Sequence, residues 1–506
     1  MKTVRELWGN LSPFMEMQGD LDLEISSITA DSRLAGPGVL FVAVKGTGGD
    51  GHDFLSRALA AGCVAVVHQD PLEKFLAPDQ LSLLAVAIRV EYSRAFPALL
   101  ARELADRPDQ NLLAAAVTGT NGKTTVSFLL QEMLNQLAGP CGLIGTICYD
   151  DGKESVPAPL TTPGGPVFFH WLKRMTDNNC SSVAMELSSH ALDQQRTAGL
   201  ELAVAVMTNI GRDHLDYHQD IASYVEAKAA IFKLLKPDGK AIINAADDRL
   251  LAVDTSGHQA MYFDPRPSLR RPDSCDLSLI HADLELTGTR LKMDYLGRQQ
   301  ILESPLVGRF NVENLMASFC AGVAMGFAED EVCRALAGVR QVPGRLERFI
   351  LPSGGLAVVD YAHTHDALEA VLKACDEIST GRLLVVVGCG GDRDKGKRPL
   401  MGQVAAARAD GVWITSDNPR TEDPAAICED IVVGYNSLED IRSMSMDVIE
   451  DRTNAIRTAL ARVGSGDIVV VAGKGHEDYQ LVGDLVLPLD DRQIIRDWIG
   501  EQEIGI

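Results

Sequence analysis

The sequence predicts an α/β protein of three domains. These are an amino-terminal domain over 1–100, a central domain over 101–343 built around a phosphate-binding loop on a mostly parallel sheet, and a Rossmann-like α/β carboxy-terminal domain over 344–506. The chain has 506 residues, and globular domains run at roughly 100–200 residues each. Short apolar runs alternate with segments long enough for helices, the pattern of βαβ units. The Pro-Gly break at Val342-Pro343-Gly344-Arg345 separates the last series of such runs from the one before it.

In the first block the apolar runs Val39–Val44 and Cys63–His68 sit among Gly-rich turns, and a charged, helix-prone stretch, Arg94–Arg107, leads to Pro108. The second block opens with Leu112–Val117 and continues with runs at Ser182–Leu187, Ala203–Met207 and Lys240–Asn244. From Leu284 to Leu306 the alternation fits antiparallel strands appended to the sheet. The third block holds runs at Leu356–Val359, Leu383–Val387, Gly411–Ile414 and Ile468–Val471, each followed at once by a polar or Gly-rich segment. Open α/β sheets bind ligands beyond the carboxyl ends of their strands. The functional residues are therefore expected there, in a site between domains.

Composition narrows the partners. Lys+Arg number 47 against 70 Asp+Glu, a net charge of −23, which repels phosphate backbones and argues against a nucleic-acid scaffold. A small anionic ligand remains compatible if positive charge is gathered locally. No apolar run approaches the about 20 residues of a bilayer span, and Met1–Glu6 lacks the apolar core of a secretory signal. The 10 cysteines include no C-x-x-C pair and read as reduced, packed thiols. A cytoplasmic protein without membrane insertion is expected.

Gly119-Thr120-Asn121-Gly122-Lys123-Thr124-Thr125 follows one apolar run and precedes a helical segment, Val126–Leu137. Glycines let backbone N–H groups converge on phosphate oxygens at a helix start. Lys123 is expected at the β/γ phosphates and the Thr124 hydroxyl on Mg²⁺. The loop is shorter than the standard spacing, which would need glycine at Val117. Gly388–Arg393 superficially suggests a dinucleotide fingerprint but ends in Arg393 where glycine is required, so no such cofactor is expected there.

Glu186, at the end of its run, and His214, just after the next, are candidates for a second Mg²⁺ near the phosphates. A salt-bridged carboxylate and a packed histidine are the competing readings of each alone. Lys228, on an apparent helix, reads by residue physics alone as a solvated or snorkelling lysine. In the third block Asp392–Arg398, Asp417-Asn418-Pro419-Arg420 and Gly473–Glu477 each follow a run. Arginine forks suit carboxylates, and two of them with Glu477 suit a ligand end carrying carboxylate and ammonium together. Solvated loop charge is the competing reading.

Taken together these motifs, with Asp31-Ser32-Arg33, Asp50-Gly51-His52, Thr161-Thr162-Pro163, Asp213–His218 and Asp360-Tyr361-Ala362-His363, resemble the Mur ligases of peptidoglycan synthesis nearly end to end. The resemblance implies a uridine-nucleotide domain, a central ATPase domain and a mobile amino-acid domain. It implies ATP-dependent addition of meso-diaminopimelate to the D-glutamate γ-carboxylate of UDP-N-acetylmuramoyl-L-alanyl-D-glutamate through an acyl phosphate.

It places Ala30, Ser32, Thr47, Gly48 and Gly49 at the uridine end of that substrate, and Thr161, Thr162, Ser188, Gln194 and Arg196 at its muramoyl-dipeptide part. Lys123, Glu186, His214 and Lys228 become the catalytic set, with Thr124, Glu186, His214 and Lys228, as a CO₂-derived carbamate, around Mg²⁺. Gly119–Thr125, Asn314, Arg345 and Asp360 would meet ATP. Arg393, Asp417, Asn418, Pro419, Arg420, Gly473 and Glu477 would form the diaminopimelate pocket, with Arg420 the specificity determinant. His365 stands where the family usually has proline, which removes no proposed ligand. A monomer is expected. An L-lysine-adding ligase, a folylpolyglutamate synthase and a slow ATP-hydrolysing switch are the alternatives.

Overall fold

The computed structural model describes residues 1–9, 11, 14–46, 48–211, 213–270 and 274–504. The chain packs as two compact units, residues 1–280, 293–300 and 313–336 in the first and 281–292, 301–312 and 337–506 in the second.

The first unit begins with a five-stranded sheet in the order Glu16–Gly19, Val86–Arg89, Ala65–His68, Val39–Val42, Ser27–Thr29. All neighbours are parallel except Glu16–Gly19, which runs antiparallel at the edge. Alternate residues of these strands feed two cores. Leu40, Val42, Val67 and Ile88 pack with Val4, Leu7 and Trp8, and Phe41 and Val66 pack with Leu55 and Ala58. The helix Phe96–Leu104 belongs to two cores at once. Phe96 and Leu100 join the first sheet's core, while Ala98 and Ala101 join that of the next sheet.

The central sheet has eleven strands. Its order is Ser155–Pro157, Cys148–Asp150, Cys141–Ile144, Ser182–Glu186, Leu113–Thr118, Leu202–Met207, Leu235–Asn244, Gln259–Asp264, Leu277–Glu285, Gly288–Tyr295, Arg298–Ser304. From Cys141–Ile144 to Leu277–Glu285 neighbours are parallel. The last three strands are joined by two-residue turns, which only antiparallel neighbours can use. The interior strands read as continuous apolar runs because both faces are covered: every residue of Ser182–Glu186 is buried. Three parallel strands, Leu113–Thr118, Ser182–Glu186 and Leu202–Met207, lie side by side and end level with one another, as their register pairs Val117 with Glu186 and with Val206.

The second unit holds a six-stranded sheet in the order Glu347–Ile350, Leu356–Asp360, Ile468–Ala472, Leu383–Val387, Gly411–Ile414, Ser445–Val448. Only the first strand is antiparallel. The strand latest in sequence, Ile468–Ala472, fills the middle and is fully buried. Among the described residues no helix is long and apolar enough to cross a membrane, and all ten cysteines are free thiols, most of them buried.

Candidate active site

The phosphate loop leaves the strand Leu113–Thr118 and enters the helix Lys123–Leu137. Gly119 and Gly122 have φ of 144° and 88°, a region costly for other residues. Side chains there would collide with Thr208 and Asn314 respectively. The end of the neighbouring strand pins the loop. Thr208 Oγ1 donates to Asn121 O at 2.6 Å, and Asn209 Oδ1 accepts from the Asn121 N–H at 2.9 Å. Lys123 Nζ folds over the loop to Gly119 O and Thr120 O, both at 2.9 Å. Thr124 and Thr125 are buried in the first helical turn. The expected Asn314 thus does lie beside the loop.

Glu186 is fully buried at its strand end. Its carboxylate accepts from Thr124 Oγ1 at 3.0 Å, Thr146 Oγ1 at 2.9 Å and the Thr146 N–H at 2.8 Å. Gly145 makes room, since a Cβ there would come 2.5 Å from Glu186 Oε1. Among the described residues Glu186 has no lysine or arginine partner. A buried anion satisfied only by hydroxyl and amide donors is suited to a cation, and the nearby Thr124 hydroxyl is a second hard oxygen of the kind Mg²⁺ takes.

Lys228 corrects the reading from residue physics: it is 1% exposed rather than solvated. The helix Ile221–Ala229 turns it inward, where Nζ donates to Gly119 O at 2.7 Å and lies 4.5 Å from the centre of the Tyr224 ring. Burial, then the charge of Lys123, drives its pKa well below the usual lysine range against Asp213. A periodic apolar stripe could not reveal this, because the cavity that takes the side chain is supplied by the loop. His214 sits at φ 52° with its ring edge-on to His190 at 4.8 Å. Partial burial lowers its pKa, Asp213 opposes this, and His190, Lys123 and Lys228 add to the lowering. Its Nε2 is 3.5 Å from Asp213 Oδ2. Among the described residues no three His, Cys, Asp or Glu side chains form a metal cluster.

Thr161, Thr162, Ser188, Gln194 and Arg196 form one connected network around that carboxylate. Thr161 Oγ1 meets Thr146 Oγ1 at 3.0 Å, Thr162 Oγ1 donates to Glu186 O at 2.7 Å, and the Ser188 N–H donates to Thr162 Oγ1 at 3.1 Å. Arg196 donates to Thr162 O and, through Nε and Nη2, to Gln194 Oε1. It has no carboxylate partner among the described residues, and burial pulls its pKa below the usual guanidinium value. Arg196 and Gln194 also wall a cleft of about 350 Å³ with Ala30, Gly48 and Arg94. Ser32 and Gly49 lie in the same two loops, two residues and one residue from that wall. Thr47 lies outside the described residues. Arg94 was not singled out by sequence, where it merged into a charged stretch; only the fold shows that it faces the cleft.

In the second unit, Asp360 and Arg345 lie together. Asp360 is buried, accepts from the Leu346 and Ala362 N–H groups at 2.8 Å each, and has its pKa raised by burial against the pull of Arg345. Arg345 lies 4.9 Å from the Tyr361 ring centre. Asp417-Asn418-Pro419-Arg420 leaves the strand Gly411–Ile414, and Gly473–Glu477 leaves Ile468–Ala472. Gly473, at φ 115°, lets Asp417 approach, since a Cβ would sit 2.6 Å from its Oδ2. Asn418 Nδ2 donates to Glu477 Oε2 at 2.9 Å. Arg420, at φ 54°, is fixed by backbone: Nη1 donates to Gly391 O at 2.8 Å and its N–H to Leu481 O at 2.9 Å. Arg393 is exposed and donates to Asp392 O. Neither arginine has a carboxylate partner among the described residues. Arg398, which the sequence placed in the basic loop, lies instead in the first turn of the helix Lys397–Arg408, buried and paired to Glu422 at 2.8 Å and Asp430 at 2.9 Å, a structural role.

A loop of this kind at the carboxyl end of a parallel sheet, followed by a second α/β unit with arginines in its strand-end loops, defines a phosphate-handling enzyme of the P-loop class. Residues 24–104 match the Mur ligase family catalytic domain, 117–322 the Mur ligase middle domain, and 344–475 the Mur ligase glutamate ligase domain. The chain belongs to the Mur ligase family. It is 39% identical over 506 residues, 99% of each chain, to the UDP-N-acetylmuramoyl-L-alanyl-D-glutamate–2,6-diaminopimelate ligase of Parabacteroides distasonis. It is 39% identical over 498 residues, 94% of each chain, to the protein of the same name from Geobacter metallireducens. A solved structure of that name superposes with a TM-score of 0.70 at 31% identity over 99% of both chains.

Proposed function

We propose that the chain is an ATP-dependent amide ligase that joins meso-diaminopimelate to the D-glutamate γ-carboxylate of UDP-N-acetylmuramoyl-L-alanyl-D-glutamate, forming ADP and phosphate in peptidoglycan precursor synthesis. One observation carries the chemistry. The phosphate loop, the buried Glu186 and the buried Lys228 meet at the ends of three adjacent parallel strands.

A carboxylate resists amines because its leaving group is oxide. Transfer of the γ-phosphoryl group from ATP to the γ-carboxylate oxygen releases ADP and leaves an acyl phosphate. The amine of diaminopimelate then attacks the acyl carbon, loses a proton, and expels phosphate. Catalysis of phosphoryl transfer is mostly positioning and charge neutralisation. Lys123 and the backbone N–H groups of Gly119–Thr125 would hold the phosphates, with Asn314, Arg345 and Asp360 meeting the nucleotide. Arg196, Gln194, Thr161, Thr162 and Ser188 would orient the dipeptide, and Ala30, Ser32 and Thr47–Gly49 the uridine end. Thr124, Glu186, His214 and carbamylated Lys228 would hold Mg²⁺, which when bound neutralises phosphate charge. Lys228 suits carbamylation because burial lowers its pKa and so favours the neutral amine, the form that adds to CO₂.

Arg393, Arg420, Asp417, Asn418, Gly473 and Glu477, on the turn set by Pro419, would bind the distal end of diaminopimelate. Two guanidiniums without carboxylate partners favour this amine over lysine, which lacks the distal carboxylate. We take 1–100, 101–343 and 344–506 as the three domains, and place the enzyme in the cytoplasm as a monomer.

The test is ADP release with the nucleotide substrate and Mg²⁺, comparing meso-diaminopimelate, L-lysine and no amine. Release that requires diaminopimelate is expected. Release with lysine instead would overturn the role of Arg420, and equal slow release in all three would point to a nucleotide switch.

A further inference from the structure

One charged side chain in the second unit's pocket takes no part in the chemistry above. Lys474 is fully buried at 0% exposure, a place lysine almost never occupies unpaired. Its Nζ lies 3.1 Å from Asn418 Oδ1, 3.3 Å from Glu477 Oε2 and 3.8 Å from Asp417 Oδ1. These contacts fix the Asn418 amide. Oδ1 accepts from Lys474 and from the Leu481 N–H at 2.9 Å, so Nδ2 must turn to Glu477 Oε2 at 2.9 Å. The opposite flip would set an NH₂ group against an ammonium and an N–H.

Glu477 is thereby gripped by one oxygen. Oε2 accepts from both Asn418 and Lys474, while Oε1 has only a 3.5 Å contact from the Tyr361 hydroxyl. Charge counting points the same way. Lys474 supplies one positive charge against Asp417 and Glu477, and the adjacent Arg452 is matched by Asp491 at 2.7 Å. One negative charge is left over among these groups.

We propose that Lys474 is a positioning residue for the amino-acid substrate. It locks Asn418, neutralises one of two carboxylates, and presents Glu477 Oε1 to the ammonium of the substrate's unreacting end. This rests on the diaminopimelate reading above.

Steady-state kinetics and thermal melting of the full chain test it, using wild type, Lys474→Met, Lys474→Gln, Glu477→Gln and the double variant Lys474→Met/Glu477→Gln. Truncating one partner of a buried charge pair is costly, so Lys474→Met should raise the KM for diaminopimelate about tenfold or more. The KM for ATP and kcat at saturating amine should stay within about threefold. Lys474→Gln, which keeps a donor toward Asn418 without the charge, should fall between. Because Lys474 acts through Glu477, the double variant should be no worse than Glu477→Gln alone. A diaminopimelate KM within about twofold of wild type in folded Lys474→Met would overturn the inference, as would full additivity in the double variant. If Lys474→Met does not fold, Lys474→Gln decides by the same KM criterion. Wild type that turns over without regard to diaminopimelate would overturn the substrate reading and this inference with it. Wild-type turnover with unaffected variants overturns the inference alone.

Discussion

The phosphate-loop region of the first unit and the arginine-bearing loops of the second are built on the same plan, polar loops at the ends of parallel strands, but with opposite electrostatics. Around the loop, the buried Glu186 and Lys228 have no ion-pair partner among the described residues: Glu186 rests on hydroxyls and an amide, and Lys228 on a carbonyl and an aromatic face. In the second unit the buried cations are each paired with carboxylates, Arg398 with Glu422 and Asp430, Arg452 with Asp491, and Lys474 with Glu477. There the uncommitted charges are the less buried Arg393 and Arg420. Under the proposed function, latent charge inside the first would serve a metal and a triphosphate, and free arginines beside paired buried charges in the second would serve the choice of amino acid.

Removing Lys123 should have the largest effect, because it withdraws the loop's own cation where charge moves. Lys123→Ala is expected to lower the rate of amine-dependent ADP release by about a thousandfold or more, and substantial retained turnover would refute its role. The arginines of the second unit sharpen the contrast. Arg398→Met withdraws the buried partner of Glu422 and Asp430, leaving Glu422 only the exposed Lys395, and should clearly lower the urea midpoint of unfolding. Arg420→Ala should leave stability nearly unchanged and instead erode discrimination against lysine, which such polar sites set at ~10⁴–10⁵. Equal stability losses in both would erase the distinction between structural and selecting arginines.

The smallest effect concerns acid. Burial, then the charges of Arg345 and Arg492, pulls His476 down to about 4, against an unfolded value of about 6.5. Between these values the unfolded chain binds a proton that the folded chain does not. The stabilisation is therefore complete above about 6.5 and is lost as pH falls toward 4, by about 3 kcal/mol at most. Unfolding measured across that window should show a shallower slope in His476→Gln, and an unchanged slope would mean another group governs the acid limb.

Much of this was legible in the sequence where the signal is local. The runs at Val39–Val44, Leu112–Val117, Ser182–Leu187 and Ile468–Val471 became strands because short continuous apolar stretches bounded by polar residues or glycine have few other uses. The phosphate loop was legible for the same reason. What escaped depends on tertiary placement. The strand Cys141–Ile144 and the turn after it, which delivers Thr146 to Glu186, carry no periodicity long enough to read. Lys228 and Lys474 look like solvated lysines in one dimension, since what buries each is contributed by residues distant in the chain. The passage between the first two domains has no compositional break because the helix Phe96–Leu104 serves both cores with different faces.

The placement of Ile468–Ala472 in the middle of the six-stranded sheet bears on how the chain is born. During synthesis Leu356–Asp360 and Leu383–Val387 leave the ribosome long before the strand that must part them, and until it arrives neither has its native neighbour on that side. Non-local pairing of this kind is slow and leaves unpaired edges open to wrong partners. The same late strand carries Gly473, Lys474 and Glu477 at its end, so the half-made protein can complete its phosphate loop while the buried charge cluster of the second unit is still unwritten.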